Sequence, residues 1–148
     1  MRALWVLALT VSIANAADWN LPAPFVGCYE LRVLSQQPAL LKKSDFLPRR
    51  FVLTARSTNP QARLSDQRFV VQNTDTNVRW GLSGFSSWRP KNPDEFEIIW
   101  STGFVAYRVS LRKAEGEFRG KAQYSTDADP HPIEPFSVGV RQTGCKTN

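Results

Sequence analysis

The 148-residue sequence has one histidine, His131, and two cysteines, Cys28 and Cys145. It contains no Gly-x-Ser-x-Gly elbow, no phosphate-binding glycine loop and no His-Glu-x-x-His motif, so three common catalytic signatures are absent. A zinc site or a catalytic thiol is also not expected, because the cysteines lie far apart at the two ends of the chain. We therefore expect a protein that is not an enzyme and that binds no metal and no cofactor.

One segment, Asp127-Ala128-Asp129-Pro130-His131, places potential oxygen and nitrogen ligands at alternate positions. Carboxylates and an imidazole suit several divalent cations. Neither a fourth ligand nor a supporting second shell can be identified for it, so a solvated loop rich in turn-forming residues is the favoured interpretation.

Paired carboxylates could also suggest a glycosidase, and Asp94, Glu95 and Glu97 are the nearest approach to such a pair. Strand alternation places Glu95 and Glu97 on the solvent side. There we expect them to pair with the basic residues of neighbouring strands, namely Arg108, Arg112 or Lys121, at only about 0.2 to 1 kcal/mol for each pair.

Long apolar runs are scarce as well. The run from Ala3 to Ile13 follows Arg2 and precedes Ala14-Asn15-Ala16, which is the pattern of a secretory signal peptide cleaved after Ala16. No run approaches the roughly 20 apolar residues of a transmembrane helix. We expect a signal peptide at 1–16, one domain at 17–148, no transmembrane segment, and a secreted or periplasmic location; a retained N-terminal anchor is the alternative.

The formal net charge is +6, and loss of Arg2 with the signal peptide leaves +5. On a secreted protein this excess favours anionic neighbours, such as the lipid headgroups or acidic polysaccharides of a cell envelope, although it also serves solubility alone. Lys and Arg are scattered singly over outward positions. Nucleic acid is therefore not an expected partner, because it calls for a concentrated basic stripe or a reading motif.

What the chain does contain is alternation with a period of two, which is typical of half-buried strands. The clearest case is a hairpin from Glu95 to Arg112 with its turn at Ser101-Thr102-Gly103. A breaker is expected at Arg89 to Asp94. Six further strands are predicted at Phe25–Leu34, Arg50–Arg56, Gln67–Gln72, Val78–Trp88, Glu117–Ser125 and Phe136–Gln142.

Eight strands without a convincing helix predict an all-β fold, either a barrel or a sandwich. In an antiparallel up-and-down barrel the first and last strands meet, which brings Cys28 and Cys145 together on the outer face, within disulfide range. Export to an oxidising compartment favours the same bond. The prediction is a closed eight-stranded barrel with its ends joined by a disulfide; an immunoglobulin-like sandwich is the alternative.

Gly27-Cys28-Tyr29 on the first strand, Arg141 near the end of the last strand, the length and the signal peptide resemble the lipocalin or wider calycin group of ligand-binding β-barrels. Many secreted bacterial proteins look similar at this level. The resemblance implies a barrel base formed by Gly27, Tyr29 and Arg141, with the arginine resting over Tyr29, where this group usually has tryptophan.

An eight-stranded barrel is just wide enough to be filled by side chains or to hold one small ligand. Gly27, Ala55, Gly120 and Ala122 are small, so we expect space near Tyr29 and Tyr124. The hypothesis is a secreted binding protein for a small hydrophobic or amphipathic molecule. The alternative is a non-enzymatic interaction or inhibitor module using the loops 35–48 and 126–135. The expected lumen residues are Trp100, Tyr107, Phe118, Gly120, Ala122 and Tyr124.

Overall fold

The fold is a closed antiparallel barrel in which each of eight strands pairs with the next and the last pairs with the first. The computed structural model describes residues 22–36, 47–74, 86–127 and 133–145. Within these ranges, two short 3₁₀ turns, Ala23–Phe25 and Leu64–Asp66, accompany the sheet. The predicted up-and-down barrel is confirmed over the sandwich. Its strands are β1 Gly27–Val33, β2 Arg50–Ser57, β3 Phe69–Asn73, β4 Ser87–Asn92, β5 Glu95–Ser101, β6 Val105–Ala114, β7 Glu117–Thr126 and β8 Phe136–Thr143.

The predicted hairpin forms β5 and β6, which pair continuously from Glu95 with Arg112 to Ser101 with Ala106. Its turn relies on Gly103, whose φ of 94° lies in the left-handed region that favours glycine. The backbone N–H of Thr102 donates to the carbonyl of Val105 across this turn, at 3.0 Å. Phe104 belongs to the turn and is 77% exposed.

The seam between β1 and β8 closes the barrel. Their register runs from Cys28 with Thr143 to Val33 with Val138. Cys28 and Cys145 form the predicted disulfide, with their Cα atoms 5.2 Å apart. It therefore fastens the first strand to the chain just beyond the last strand.

The barrel has two different ends. At the base, where β1 begins and β8 ends, the connections are the tight turns Pro93–Asp94 and Glu115–Gly116 and the segment 58–68. The connections that follow β1, β3, β5 and β7 gather at the opposite end, which we name the loop end. The 3₁₀ turn Ala23–Phe25 lies at the base and buries Phe25 in the core.

The fourth strand differs from the prediction. β4 continues through Arg89 to Asn92, which was expected to break the chain, and the turn shrinks to Pro93–Asp94. Pro90 is tolerated because β3 pairs with β4 only at Ser87 and Trp88, so no ladder partner faces it on that side. A register shift between Pro90 and Asn92 accompanies it. The first part of the predicted strand, 78–85, lies outside the described residues.

The first strand also starts later than expected. Phe25 lies in the 3₁₀ turn and β1 begins at Gly27. Val33, at the end of this strand, is 36% exposed. Inward alternation otherwise holds, and the apolar core comprises Phe25, Tyr29, Leu31, Leu47, Phe51, Leu53, Phe69, Val71, Trp88, Phe96, Ile98, Trp100, Tyr107, Val109, Leu111, Ala122, Phe136, Val138 and Val140.

Candidate binding surfaces

The predicted lumen residues lie on β5, β6 and β7, as expected, but three of them leave no open space around their side chains. Trp100, Tyr107 and Ala122 have no exposed area. No space large enough for a water molecule therefore adjoins these side chains. Tyr124 and Phe118 are partly buried and pack against the same core.

Trp100, Tyr107 and Tyr124 form an aromatic group in the half of the barrel nearer the loop end. The rings of Tyr107 and Tyr124 meet edge to face with centroids 5.1 Å apart, and Phe51 meets Trp100 at 5.2 Å. The indole Nε1–H of Trp100 donates to Asn73 Oδ1 at 2.9 Å. The rings of this group therefore contact one another, and the one polar atom of the Trp100 side chain is hydrogen-bonded.

Phe118 belongs to a second aromatic group, at the base. Its ring lies 4.8 Å from that of Phe96, 6.0 Å from that of Phe25 and 6.3 Å from that of Tyr29. The expected lumen residues are thus divided between two packed clusters and do not line one cavity.

Gly120 and Ala122 do not create the space expected near Tyr29 and Tyr124. A Cβ atom on Gly120 would lie 1.8 Å from the carbonyl oxygen of Ser110, so the missing side chain lets β6 and β7 approach closely. Ala122 faces Val109 and Phe136 across the two ladders and is wholly buried. The small residues serve close packing, and this expectation is corrected.

Tyr29 lies buried near the start of β1. Its hydroxyl donates to the carbonyl of Phe25 at 2.7 Å, which ties β1 to the 3₁₀ turn. Burial raises the pKa of the Tyr29 phenol to about 12. Gly27 opens β1 beside the side chain of Gln142.

Arg141 does not rest over Tyr29, and its expected place in the base is corrected. It lies on the outer face of β8, where its side chain is 62% exposed and its Nη2 lies 3.6 Å from Glu30 Oε2. The physical reason is strand parity, because Val138 and Val140 point inward and position 141 must therefore point outward.

The loop end carries the most exposed aromatic ring among the described residues, that of Phe104. Val105, Tyr124 and Ile133 beside it are only partly buried and pack on the core.

Leu47 and Pro48, the described end of the predicted contact loop 35–48, are buried. Most of that loop (37–46) and the middle of the loop 126–135 (128–132) lie outside the described residues. Sequence alternation did not single out Phe104, although its place beside Gly103 in a hairpin turn was a usable signal.

Glu97 corrects the expectation of a solvated carboxylate. It does point away from the lumen, yet its side chain is only 3% exposed. Its partners are Arg89 at 3.3 Å, Arg68 at 3.5 Å and Lys91 at 3.9 Å, and not Arg108 or Lys121. Arg68 falls on a predicted strand, Gln67–Gln72, that is not adjacent to the strand of Glu97, and Arg89 falls in the predicted breaker. The pattern therefore gave no reason to expect a contact between these side chains.

Other outer-face ion pairs follow the alternation. Glu95 pairs with Arg112 at 3.4 Å, as expected. Glu117 accepts hydrogen bonds from both Arg119 and Arg32 at 2.7 Å. The hydrogen bond from Arg119 is the main cause that holds the pKa of the Glu117 carboxyl below its usual value.

In the described parts of the chain, no three residues among His, Cys, Asp and Glu come together as a cation site would require. Of the Asp127 to His131 segment, only Asp127 lies within these parts. Over the same ranges, no helix is both long and apolar enough to cross a membrane.

Comparisons with known proteins found no matching family model, no matching curated protein and no matching solved structure.

Proposed function

We propose that this protein is a secreted or periplasmic, non-enzymatic binding module that engages a protein partner through the loop end of its barrel. The observation that carries the proposal is the absence of exposed area at Trp100, Tyr107 and Ala122. A barrel filled by its own side chains has no volume to enclose a ligand. Recognition then falls to the surface, where binding residues are usually carried on loops held by a rigid scaffold.

The loop end is favoured over the base by its connections and by Phe104. Three of its four connections are long, whereas two of the three base connections are tight turns. Phe104 exposes most of a large apolar ring at the tip of a rigid hairpin. Aromatic residues of this kind commonly supply a large share of the free energy of protein association.

The proposal is tested by placing a photocrosslinking amino acid at position 104 in the native host, with position 119 near the base as the control. We expect one discrete protein adduct from position 104, suppressed by an excess of unlabelled protein, and none from position 119. Phe104→Ser should fold normally and weaken association by at least about fivefold, since truncating a hot spot costs more than 1 kcal/mol. Equal adducts at both positions would contradict the proposal.

A second candidate is a carrier of a small apolar or amphipathic molecule, held at the loop end of the interior. Tyr124 and Val105 favour it, because both are only partly buried beside the fully buried Tyr107. A tyrosine hydroxyl could meet the ligand's polar end. Native mass spectrometry of protein purified from its host separates the two candidates. A retained small molecule, with capture of a fluorescent fatty-acid analogue lost in Tyr124→Ala, supports the carrier.

The proposed location rests on the disulfide, because such bonds persist in oxidising compartments. The net charge of the mature chain supports contact with an anionic envelope surface there. N-terminal sequencing of the exported protein should find Ala17 as the first residue. An N-terminus at Met1 in the exported fraction would contradict cleavage of the signal peptide.

A further inference from the structure

Basic side chains gather on the outer wall of the barrel where β3, β4 and β5 meet. Arg89 lies opposite Glu97 in the β4–β5 ladder, and Arg68 directly precedes β3 on the other side of β4. Lys91 reaches the same carboxylate from further along β4. We name Arg68, Arg89, Lys91 and Glu97 the outer-wall cluster. It lies on the sheet surface, away from the proposed loop-end contact.

The cluster holds more positive charge than its carboxylate can balance. Three cations face one carboxylate, at N···O distances of 3.3 to 3.9 Å. Strong charge-assisted bonds measure about 2.7 to 2.9 Å, and Glu117 on the same barrel makes two at 2.7 Å. Arg68 Nη1, Arg89 Nε and Glu97 Oε1 are buried without a hydrogen-bond partner. Glu97 therefore holds the cations together without saturating them.

Partial burial makes the repulsion between these neighbouring cations unfavourable. The pKa of the Arg68 guanidinium is lowered first by burial, then by the charge of Arg89, and in part by that of Arg108 on the outer face of β6. Like charges that are held close and partly desolvated destabilise one another. An anion placed over them relieves that repulsion, because the outward parts of all three cationic side chains still reach solvent.

We propose that the outer-wall cluster, with Arg108 beside it, is a binding site for a phosphate group. Guanidinium groups present planar donors that match phosphate oxygens, and a lysine adds a point charge. The three cations of the cluster less Glu97 leave a charge of +2, and Arg108 raises the charge of the site to +3, which exceeds the charge of a phosphate dianion. Glu97 serves as the internal counter-ion that positions Arg68 and Arg89 while limiting the affinity. This site does not depend on the loop-end function.

The test is calorimetric titration of the oxidised protein with inorganic phosphate at low ionic strength. We expect saturable binding that weakens with added salt. Arg89→Gln should lower the affinity by at least about tenfold, as for loss of a hydrogen bond to a charged group. Arg119→Gln, on the outer face of β7 and outside the cluster, is the matched control and should leave the affinity unchanged. If Arg89→Gln does not fold, Lys91→Gln takes its place, because its nitrogen is the most distant from Glu97.

The direction in which Glu97→Gln changes the phosphate affinity distinguishes a phosphate site from a purely structural cluster. Removing the competing negative charge should strengthen phosphate binding severalfold, whereas a purely structural cluster predicts no gain. Vesicles of phosphatidylglycerol in phosphatidylcholine, compared with phosphatidylcholine alone, distinguish the source of the phosphate. Cluster-dependent vesicle binding identifies a lipid headgroup, and phosphate binding without it identifies a soluble ligand. Absence of saturable binding to both, equal loss in Arg119→Gln, or no gain in Glu97→Gln would overturn the proposal.

Discussion

At the residue scale, Tyr29 joins the first strand to the 3₁₀ turn at the base of the barrel. Its hydroxyl donates to the carbonyl of Phe25, and its ring stacks on Phe51 at 5.5 Å. Both contacts need the neutral phenol in a buried position. The side chain therefore couples the protonation of one group to the packing of a whole end of the barrel.

This coupling predicts an alkaline transition. The Tyr29 pKa is about 12 in the folded protein, against about 10 in the unfolded chain. Its contribution to stability is fully present below about pH 10 and is lost as the pH rises to about 12. In a spectrophotometric titration, the Tyr29 phenol should ionise near pH 12, and that step should be missing in Tyr29→Phe. A Tyr29 step near pH 10 in the folded protein would contradict it.

Glu97 shows what strand alternation determines and what it leaves open. The period of two correctly predicts that Glu97 points out of the lumen. It does not predict burial, because the cover comes from Arg89 on the neighbouring strand β4 and from Arg68 just before β3. How far an outward residue is exposed depends on the long side chains that lie beside it on other strands. Their arrangement follows from the register of the sheet, and the sequence of one strand does not encode that register.

At the scale of elements, the β6–β7 ladder pairs without interruption from Val105 with Thr126 to Ala114 with Glu117. The ladder requires glycine at 120, where the backbone of Ser110 occupies the place of a side chain. Gly120→Ala should therefore lower the free energy of unfolding by at least about 2 kcal/mol, because backbone and not a flexible side chain must move.

Denaturant unfolding measures this loss, and Gly144→Ala is the matched control, since nothing lies within 4 Å of its added Cβ. Equal stability of the two variants would mean that the strands are not so closely apposed.

The fourth strand marks a limit of prediction for elements. Pro90 and Pro93 read as breakers, and only Pro93 lies in a turn. Pro90, which has no N–H to donate, fits a strand because β3 is too short to require a donor at that position. The extent of a neighbouring strand is a property of the assembled sheet. By contrast, the β5–β6 hairpin was predictable, because its alternation and its Gly103 turn agree locally.

At the scale of the whole molecule, the closed barrel and its disulfide could be predicted because strand number, direction and parity all bring Cys28 and Cys145 together. The filling of the interior could not. It depends on how closely β6 and β7 approach, and Gly120 is compatible with either a void or a contact until the register is known.

The disulfide should be a major source of global stability. It spans 117 residues, and the chain-entropy model assigns a loop of this length roughly 4 to 5 kcal/mol. Reduction, or the double variant Cys28→Ser/Cys145→Ser, should lower the unfolding free energy by an amount of that order in a denaturant titration. The unreduced, unfolded protein should show no reactive thiol. Two reactive thiols, or unchanged stability after reduction, would contradict this account.

The central claim is that the barrel is filled and that binding occurs on its surface, and Ala122→Phe tests it most directly. Ala122 is wholly buried, so a phenyl ring there must displace packed neighbours. We predict a loss of about 1 to 3 kcal/mol in the free energy of unfolding, measured by denaturant titration. Ala106→Phe, on the outer face of β6, is the control and should be nearly neutral. A stable Ala122→Phe variant that has lost capture of an apolar probe bound by the native protein would show instead that the interior is a ligand cavity.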